Sequence, residues 1–413
     1  MSTGGLAVWQ PLRQLSFREL WIGSIVSNSG AWIYTVTVQW QVASMSTSPL
    51  LVSMIAVAAN LPLFIFLLPA GVLSDFIDRR LLMVISQAAL VTLPLLLGAA
   101  IWADLGQVWL LIVVTFLIGI ASAFGETARQ AVVPDIVPQE QLVSAVALNS
   151  FSINVSRSIG PAIGGALLAS LGVVAGCIAS AASGLVAGLA ALRLQVGKSA
   201  DSVSTRQFVE SMGAGLQFVR QTPQARAILI REATFVFFAS VLWALLPALV
   251  KHELGMGAAG YGRLMACLGL GALASAFLVP LLQGRYSGNQ LAVPASIFVS
   301  GSCILPAIFD QRLVLLTTLF FGGMGWAAML VVFNTAMQML VPAWLRGRVL
   351  SAQAMVLFGT LAAGSAIWGF LADSAGLHAT FLISGFGLLA TLVLHCRYAL
   401  TISAGDKVSN FCA

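Results

Sequence analysis

The sequence predicts an all-α membrane protein whose twelve transmembrane helices form two pseudo-symmetric bundles of six. Three observations predict this fold: the chain is strongly apolar, its apolar runs have the length of membrane spans, and its two halves resemble each other. Of the 413 residues, 59% are hydrophobic and only 8% are charged, whereas about a quarter of a typical soluble domain is charged. Lipid is therefore the expected solvent for most of the chain.

Twelve apolar runs are long enough to cross a bilayer, which takes about 20 residues for a helix. Helices are expected because every backbone amide must find a partner within the hydrocarbon region. The N-terminal segment lacks the apolar core of a signal peptide, so the first span is expected to remain as a permanent helix. The expected spans are residues 20–44, 50–73, 81–102, 107–128, 142–170, 173–194, 226–249, 260–282, 291–309, 312–338, 347–371 and 378–400.

The basic residues predict the orientation of these spans. An even number of spans places both termini on the same side of the membrane. The loops and ends on that side contain most of the lysines and arginines, whereas the other loops hold little beyond Lys251, Arg263 and Arg312. Because basic loops stay in the cytoplasm, both termini are expected there. The net charge of +6 then reflects topology, and no nucleic-acid partner is expected.

A polar segment divides the chain into two sets of six spans. Residues 195–224 interrupt the apolar pattern, and Phe208, Met212, Leu216 and Val219 recur within them at helical spacing. We expect part of this loop to form an amphipathic helix on the inner membrane surface. The predicted domains are a first bundle (1–194), the central cytoplasmic loop (195–224) and a second bundle (225–413).

The two halves carry matching sequences. "ETARQAVVP" (126–134) aligns with "NTAMQMLVP" (334–342), and "GPAIGGALLASLG" (160–172) aligns with "GSAIWGFLADSAG" (364–376). The two matches occur in the same order and at nearly equal spacing, which indicates an internal duplication. A duplicated bundle of twelve spans is typical of carriers that work by alternating access, with the substrate between the halves near the membrane midplane.

The stretch "GVLSDFIDRR" (71–80) concentrates charge in a nearly uncharged region. Asp75 is expected at the cytoplasmic end of the second span, where the helix dipole disfavours an acid by up to about 1 kcal/mol. Asp75 therefore needs a positively charged partner. The candidates are Arg79, Arg80, Arg129 and the N-terminus of another helix. Such contacts would form a breakable gate. The alternative is that these charges only fix the topology, which explains the arginines better than it explains Asp75.

This stretch resembles the signature loop of the major facilitator superfamily, G-x-L-x-D-R-x-x-R-R. Phe76 departs from the pattern, because the family usually has a basic residue there. The matching residues are Gly71, Leu73, Asp75, Arg79 and Arg80. The resemblance covers the whole chain and implies the major facilitator fold, with a cytoplasmic gate formed by Gly71, Asp75, Arg79, Arg80 and Arg129.

The fifth span contains "SRSIGPAIGG" (156–165), which resembles the G-x-x-x-G-P-x-x-G-G motif of exporter branches, with Ser156 in place of the first glycine. Proline favours a kink and glycines allow close helix packing, so the span is expected to seal one end of a cavity. Ordinary small-residue packing is the alternative. The motif residues are Gly160, Pro161, Gly164 and Gly165. Longer stretches resemble the branch that includes the enterobactin exporter and the macrolide efflux proteins.

Charges inside the spans are candidate functional residues. Arg157 lies one turn before Gly160, where an unpaired charge costs at least about 2.5 kcal/mol. It meets an anionic substrate, pairs with Glu126, or belongs to a structural pair at the cytoplasmic end. Arg231 and Glu232 are expected to be a simple interfacial pair. The family implies proton antiport, but the sequence shows no acid deep in a span to serve as the relay.

The first, fourth, seventh and tenth spans line the path in this superfamily. Their aromatic rings and amides suit a bulky amphipathic ligand, although tryptophan and tyrosine also serve as interfacial anchors. The candidate lining residues are Trp32, Tyr34, Gln39, Trp40, Phe235, Trp243, Trp326 and Asn334.

The predicted function is secondary active export of a small amphipathic molecule, namely a siderophore, a secondary metabolite or a drug, across the inner membrane of a bacterium. The expected partners are this substrate, protons and the bilayer, and a monomer is expected. We expect no enzyme activity, no cofactor and no metal site. The five cysteines form no C-x-x-C pair and the histidines are scattered, which argues against a metal site. The sequence contains no ATP-binding P-loop. The alternatives are a lipid flippase, a metabolite importer, or a non-transporting membrane scaffold or sensor.

Overall fold

The computed structural model describes residues 9–194, 217–283, 285–342 and 345–393, together with Gly215. These residues form helices, turns and loops without a β-strand. The long helices are α1 (Leu15–Met45), α2 (Pro49–Phe76), α3 (Arg79–Trp102), α4 (Val108–Ile136), Leu142–Arg193, α7 (Pro223–Ala248), α8 (Ala258–Gln283), α9 (Gly288–Ile304), α10 (Arg312–Leu340), α11 (Arg346–Ala375) and α12 (Leu377–Ala390). Short helical turns cover Gln10–Arg13, Gln139–Gln141, Leu249–Glu253 and Leu305–Ala307.

The helix Leu142–Arg193 contains two spans. Gly172 breaks it, because its φ of 81° and ψ of −173° are not helical. We call residues 142–171 α5 and residues 173–193 α6, which matches the expected spans 142–170 and 173–194. Over the described residues, nine helices have the length and hydropathy of a membrane span when Leu142–Arg193 is counted once. Counting Leu142–Arg193 as the two spans α5 and α6, and adding α1 and α12, gives twelve described segments. The prediction of twelve helices is therefore confirmed.

Capping residues fix where several helices begin. Asp78 is the N-cap of α3, and its carboxylate accepts a hydrogen bond from the backbone N–H of Arg80 at 2.8 Å. Ser287 begins α9 with a capping box, in which its hydroxyl and the side chain of Gln290 each bond to the other residue's backbone N–H. Pro49 and Pro223 lie in the first turns of α2 and α7, where a missing N–H costs nothing.

Successive helices run in opposite directions, so the loops alternate between two ends of the molecule. We call the end that contains the α2–α3 turn, with Arg79 and Arg80, the arginine-rich end. The starts of α1, α7 and α11 and the turn between α4 and α5 lie at the same end. The opposite end holds the α1–α2 turn and Gly172.

The hydrophobic cores show how the two halves meet. One core contains residues of both halves, including Val38, Leu97, Leu246 and Leu315, and lies toward the opposite end. The arginine-rich end has two other described cores, one built by each half. Phe17, Leu82 and Val132 belong to the first, whereas Val219, Leu345 and Val349 belong to the second. The halves are therefore joined at the opposite end and have separate cores at the arginine-rich end.

Only the end of the predicted amphipathic helix can be compared with the structure. Phe208 and Met212 lie outside the described residues, as do the last residues of the expected twelfth span. Residues 217–221 are helical, and Val219 is buried against the second half rather than facing outward.

Candidate functional site

A row of four aromatic side chains crosses the interface between the halves. The ring centroids of Trp32 on α1 and Trp243 on α7 are 5.3 Å apart. Trp243 is 5.6 Å from Trp326 on α10, which in turn is stacked 5.8 Å from Phe235 on α7. We call these four residues the aromatic row. The structure thus brings together residues that the sequence places on three separate expected spans.

Two indole N–H groups of the aromatic row have no acceptor among the described residues. The Nε1 atoms of Trp243 and Trp326 are buried and make no hydrogen bond there. Buried indole N–H groups normally find a partner, and each unsatisfied donor costs about 1–3 kcal/mol. Trp32 and Trp243 are partly exposed, whereas Trp326 and Phe235 are 4% and 2% exposed.

The other predicted cavity residues lie elsewhere. Tyr34 is buried inside the first half, where its hydroxyl is hydrogen-bonded to Thr115 Oγ1 at 3.0 Å. Asn334 on α10 is exposed. Of the eight candidate lining residues, five form one connected group, namely the four rings of the aromatic row and Gln39, which contacts the backbone of Trp243.

Gln39 and Trp40 belong to a closed contact between the halves toward the opposite end. Gln39 Nε2 donates to the backbone carbonyl of Trp243 at 2.9 Å. The ring of Trp40 stacks on Tyr261 of α8 at 5.3 Å, and the Lys251 ammonium lies 5.7 Å from the Trp40 ring centroid.

A further link between the halves lies beside the α1–α2 turn, where Ser48 Oγ donates to Asp373 Oδ1 of α11 at 2.7 Å. Together with the contacts of Gln39 and Trp40, this bond holds the opposite end shut.

The glycines of the exporter motif allow three close helix contacts. A Cβ atom on Gly160 would lie 2.5 Å from Trp32 Cβ, and one on Gly164 would lie 3.0 Å from Ile33 Cα, both on α1. A Cβ on Gly165 would lie 2.5 Å from the Cα of Gly262 on α8, in the other half. The backbone keeps helical angles at Pro161, and the break comes instead at Gly172.

Charged contacts fasten the loop that follows α2. Arg79 Nη1 lies 2.7 Å from Asp135 Oδ2 and donates to the carbonyl of Ala131 at 3.0 Å, both on α4. Arg80 Nη2 donates to the carbonyl of Leu192 on α6. These arginines therefore tie α3 to α4 and α6 within the first half.

Arg129 joins α4 to α5. Its Nη2 atom lies 2.5 and 2.6 Å from the two carboxylate oxygens of Glu126, and Nη1 lies 3.4 Å from Asn149 Oδ1. Glu126 also accepts a hydrogen bond from Gln130 at 2.7 Å. Glu126 is thus the partner of Arg129 rather than of Arg157. Gly71 is helical and partly buried in α2, whereas the side chain of Asp75 lies outside the described part of the structure.

The charges inside the helices differ in their surroundings. Arg157 on α5 is partly buried and makes no hydrogen bond or ion pair with a described residue. Arg231 and Glu232 on α7 are both 2% exposed. Arg231 Nη1 donates to Asn289 of α9 at 2.7 Å, and Glu232 Oε2 accepts from Gln353 Nε2 of α11 at 2.7 Å.

The sequence interpretation of Arg231 and Glu232 as a simple interfacial pair missed this burial. Their place near the start of a span suggested an exposed interface. No signal in the sequence indicated that Gln353 would cover Glu232. Within the described ranges no three potential metal ligands come together.

Several known proteins are similar to this chain over most of its length. A family model described as transmembrane secretion effector matches residues 6–410. The multidrug efflux pump Tap of Mycolicibacterium fortuitum is 28% identical over 385 residues, covering 89% of this chain and 91% of that protein. Macrolide efflux protein A of Streptococcus pyogenes is 25% identical over 382 residues, with 90% and 93% covered. The staphyloferrin A transporter of Staphylococcus aureus is 25% identical over 373 residues, with 89% and 92% covered.

Solved structures share the fold. A D-xylose–proton symporter superposes with a TM-score of 0.70 at 14% identity, over 94% of this chain and 98% of that one. A bacterial homologue of the human lysosomal transporter Spinster, in an inward-facing and occupied conformation, gives a TM-score of 0.71 at 14% identity, over 95% and 97%.

Proposed function

The chain belongs to the transmembrane secretion effector family, and from this premise we propose that it exports a small amphipathic molecule from the bacterial cytoplasm by alternating access. The activities for which its relatives are named, multidrug efflux, macrolide efflux and staphyloferrin A transport, support this substrate class. Those relatives are membrane transporters and not enzymes. The similarity spans 91–93% of their length, and the described helices have the major facilitator fold.

The observation that carries the proposal is the unequal contact between the halves. At the opposite end they share one core and close hydrogen bonds, whereas at the arginine-rich end each half has its own core. The aromatic row lies where the halves meet. A transporter needs such an arrangement, because rocking one half against the other then exposes a central site first to one side and then to the other.

The arginine-rich end is the cytoplasmic end in this proposal. Basic residues that flank spans stay in the cytoplasm, and Arg79, Arg80, Arg193 and Arg346 mark this end of the described helices. In this proposal both termini are cytoplasmic as well. The described conformation is then open to the cytoplasm, where an exporter takes up its substrate.

Proton movement is proposed to drive the export, and Glu232 is the carboxyl group best placed to carry the proton. It is buried in α7 and accepts a hydrogen bond from the neutral amide of Gln353 on α11. An ionisable residue inside a membrane span is a functional candidate because keeping a charge there is costly. Gain and loss of a proton would change the interaction between α7 and α11, two helices of the second half.

The gate at the cytoplasmic end remains part of the proposal. Arg79, Arg80 and Arg129 already hold α3, α4, α5 and α6 together within the first half. This rigid unit would present Asp75 to the second half when the arginine-rich end closes. The Gly160–Gly165 segment packs α5 against α1 and α8 and would seal the other end. One chain contains both halves, so the transporting unit is a monomer.

Comparison of culture media tests the export. Metabolites in spent medium and in cells are compared by mass spectrometry between the native host and a strain that lacks the gene, in iron-poor and iron-rich culture. The proposal predicts a metabolite that falls outside and rises inside the deletion strain, and returns to normal on complementation with the wild-type gene. Identical profiles under both conditions, together with unchanged drug sensitivity, would exclude export.

A further inference from the structure

Arg157 carries a guanidinium group at the depth of the membrane, and no described residue neutralises its charge. It lies in the middle of α5 and makes neither a hydrogen bond nor an ion pair with any described residue. The acid that the sequence offered as its partner, Glu126, is occupied by Arg129 and Gln130. A charge inside a membrane protein is normally paired or faces a water-filled path, so the direction in which Arg157 points decides its role.

The contacts of its neighbours fix that direction. Ser156 donates to the carbonyl of Ile25 on α1, so this side of α5 faces α1. A Cβ on Gly269 of α8 would meet the backbone of Ser158, so that side faces α8 in the other half.

The exposed side of α5 carries Ile159 and Ile163. At about 100° per residue, Arg157 lies between the sides that face α1 and α8, and about 200° from Ile159. It therefore points away from lipid, into the cleft between the two halves.

The aromatic row lies next to this position. Gly160 follows Arg157 by one turn, about 4.5 Å along the helix, and packs against Trp32, the first residue of the row. From there the row continues through Trp243 and Trp326 to Phe235. Trp32 and Trp243 are partly exposed, whereas Trp326 and Phe235 are buried in the core of the second half. A fixed positive charge thus lies next to the two partly exposed rings of the row.

We infer that Arg157 binds a carboxylate group of the transported molecule while the apolar body of that molecule lies against the aromatic row. The planar guanidinium suits a carboxylate because two parallel N–H···O bonds form at once. This inference rests on the proposed function, and it narrows the substrate class to amphipathic organic acids.

A pair of probes that differ only in charge tests the inference. Purified full-length protein in lipid nanodiscs is titrated with pyrenebutyric acid and with its neutral amide, and energy transfer from tryptophan to pyrene reports binding. We expect the wild-type protein to bind the acid at least tenfold more tightly than the amide. Arg157→Gln is expected to lose this preference but to keep its affinity for the amide, which also shows that the variant is folded.

Two further variants make the test specific. Arg157→Lys keeps the charge but loses the planar fork, so a smaller preference for the acid is expected. Arg263→Gln removes an exposed arginine of α8 and is expected to change neither affinity. An acid preference that survives Arg157→Gln, or its absence from the wild-type protein, would overturn the inference.

Binding by purified protein is independent of export by cells. If the preference is present but no metabolite moves, only the proposed function fails. If export occurs without the preference, only the carboxylate site fails.

Discussion

A single methyl group at Gly165 tests whether the contact between α5 and α8 holds the opposite end closed. In Gly165→Ala the new Cβ would lie 2.5 Å from the Cα of Gly262. Two carbon atoms pack best at about 3.5–4.0 Å, so the helices must move apart by about 1 Å or more. The two glycines belong to different halves, and the strain therefore falls on the contact between them.

The expected size of the effect follows from the cost of overpacking. An added methyl group in a tight contact costs about 1–3 kcal/mol. Only the conformation that is closed at the opposite end bears this cost, because the two glycines separate when that end opens. At about 1.4 kcal/mol per factor of ten, the population ratio should shift about 5- to 150-fold toward the outward-open conformation.

Distances between spin labels measure this shift directly. Labels at Ala103 and Asp310, exposed residues of the two halves at the opposite end, are introduced after replacement of the native cysteines. Double electron–electron resonance on the protein in nanodiscs is expected to show a short distance in the wild-type protein. A larger share of a longer distance is expected in Gly165→Ala.

Gly164→Ala is the matched control. Its new Cβ would lie 3.0 Å from Ile33 Cα, within the first half, so it should lower thermal stability without changing the distance distribution. A Gly165→Ala protein with the wild-type distribution would refute the argument that this contact holds the end closed.

Three further variants test the cytoplasmic gate, the coupling and the fastening of the first half. Asp75→Asn is expected to abolish export while the amount of folded protein in the membrane stays unchanged, and normal export would remove Asp75 from the gate. Glu232→Gln keeps the shape of the contact with Gln353, but its side chain cannot release a proton. Transport driven by a pH gradient should therefore fall at least tenfold, while substrate exchange persists. Unchanged gradient-driven transport would contradict the role of Glu232 as proton carrier. Arg129→Lys loses the fork that contacts both oxygens of Glu126 and should lower the melting temperature by about 2 °C in a thermal unfolding assay, whereas an unchanged value would mean that the pair adds no stability.

The fold could be predicted because hydropathy reports how many times a chain enters the membrane. The turn at Gly172 fell between two expected spans, where the structure has it. The direction of each side chain was harder to predict. A helix surrounded by lipid on one side and protein on the other is apolar all round, so it carries little periodic signal of its buried face.

This limit explains which of the candidate lining residues contact one another. The sequence selected Trp32, Trp243, Trp326 and Phe235 by the spans that contain them, and these do meet. Tyr34 is on an equally suitable span but points into the first half.

The partner of a charge was hard to predict where it comes from another helix. Glu126 pairs with Arg129 one turn away on the same helix, whereas Glu232 is covered by Gln353, more than a hundred residues away.

Locking the opposite end shut tests alternating access most directly. Ser48 Oγ and Asp373 Oδ1 are 2.7 Å apart, so cysteines at both positions lie within reach of a short bismethanethiosulfonate reagent, which forms a reducible cross-link between the start of α2 and α11. Export by the double variant is measured in the cross-linked and the reduced state, with Ser48→Cys and Asp373→Cys alone as controls. We predict that the cross-link abolishes export and that reduction restores it to the level of the single variants. Undiminished export by fully cross-linked protein would contradict transport by opening of this end.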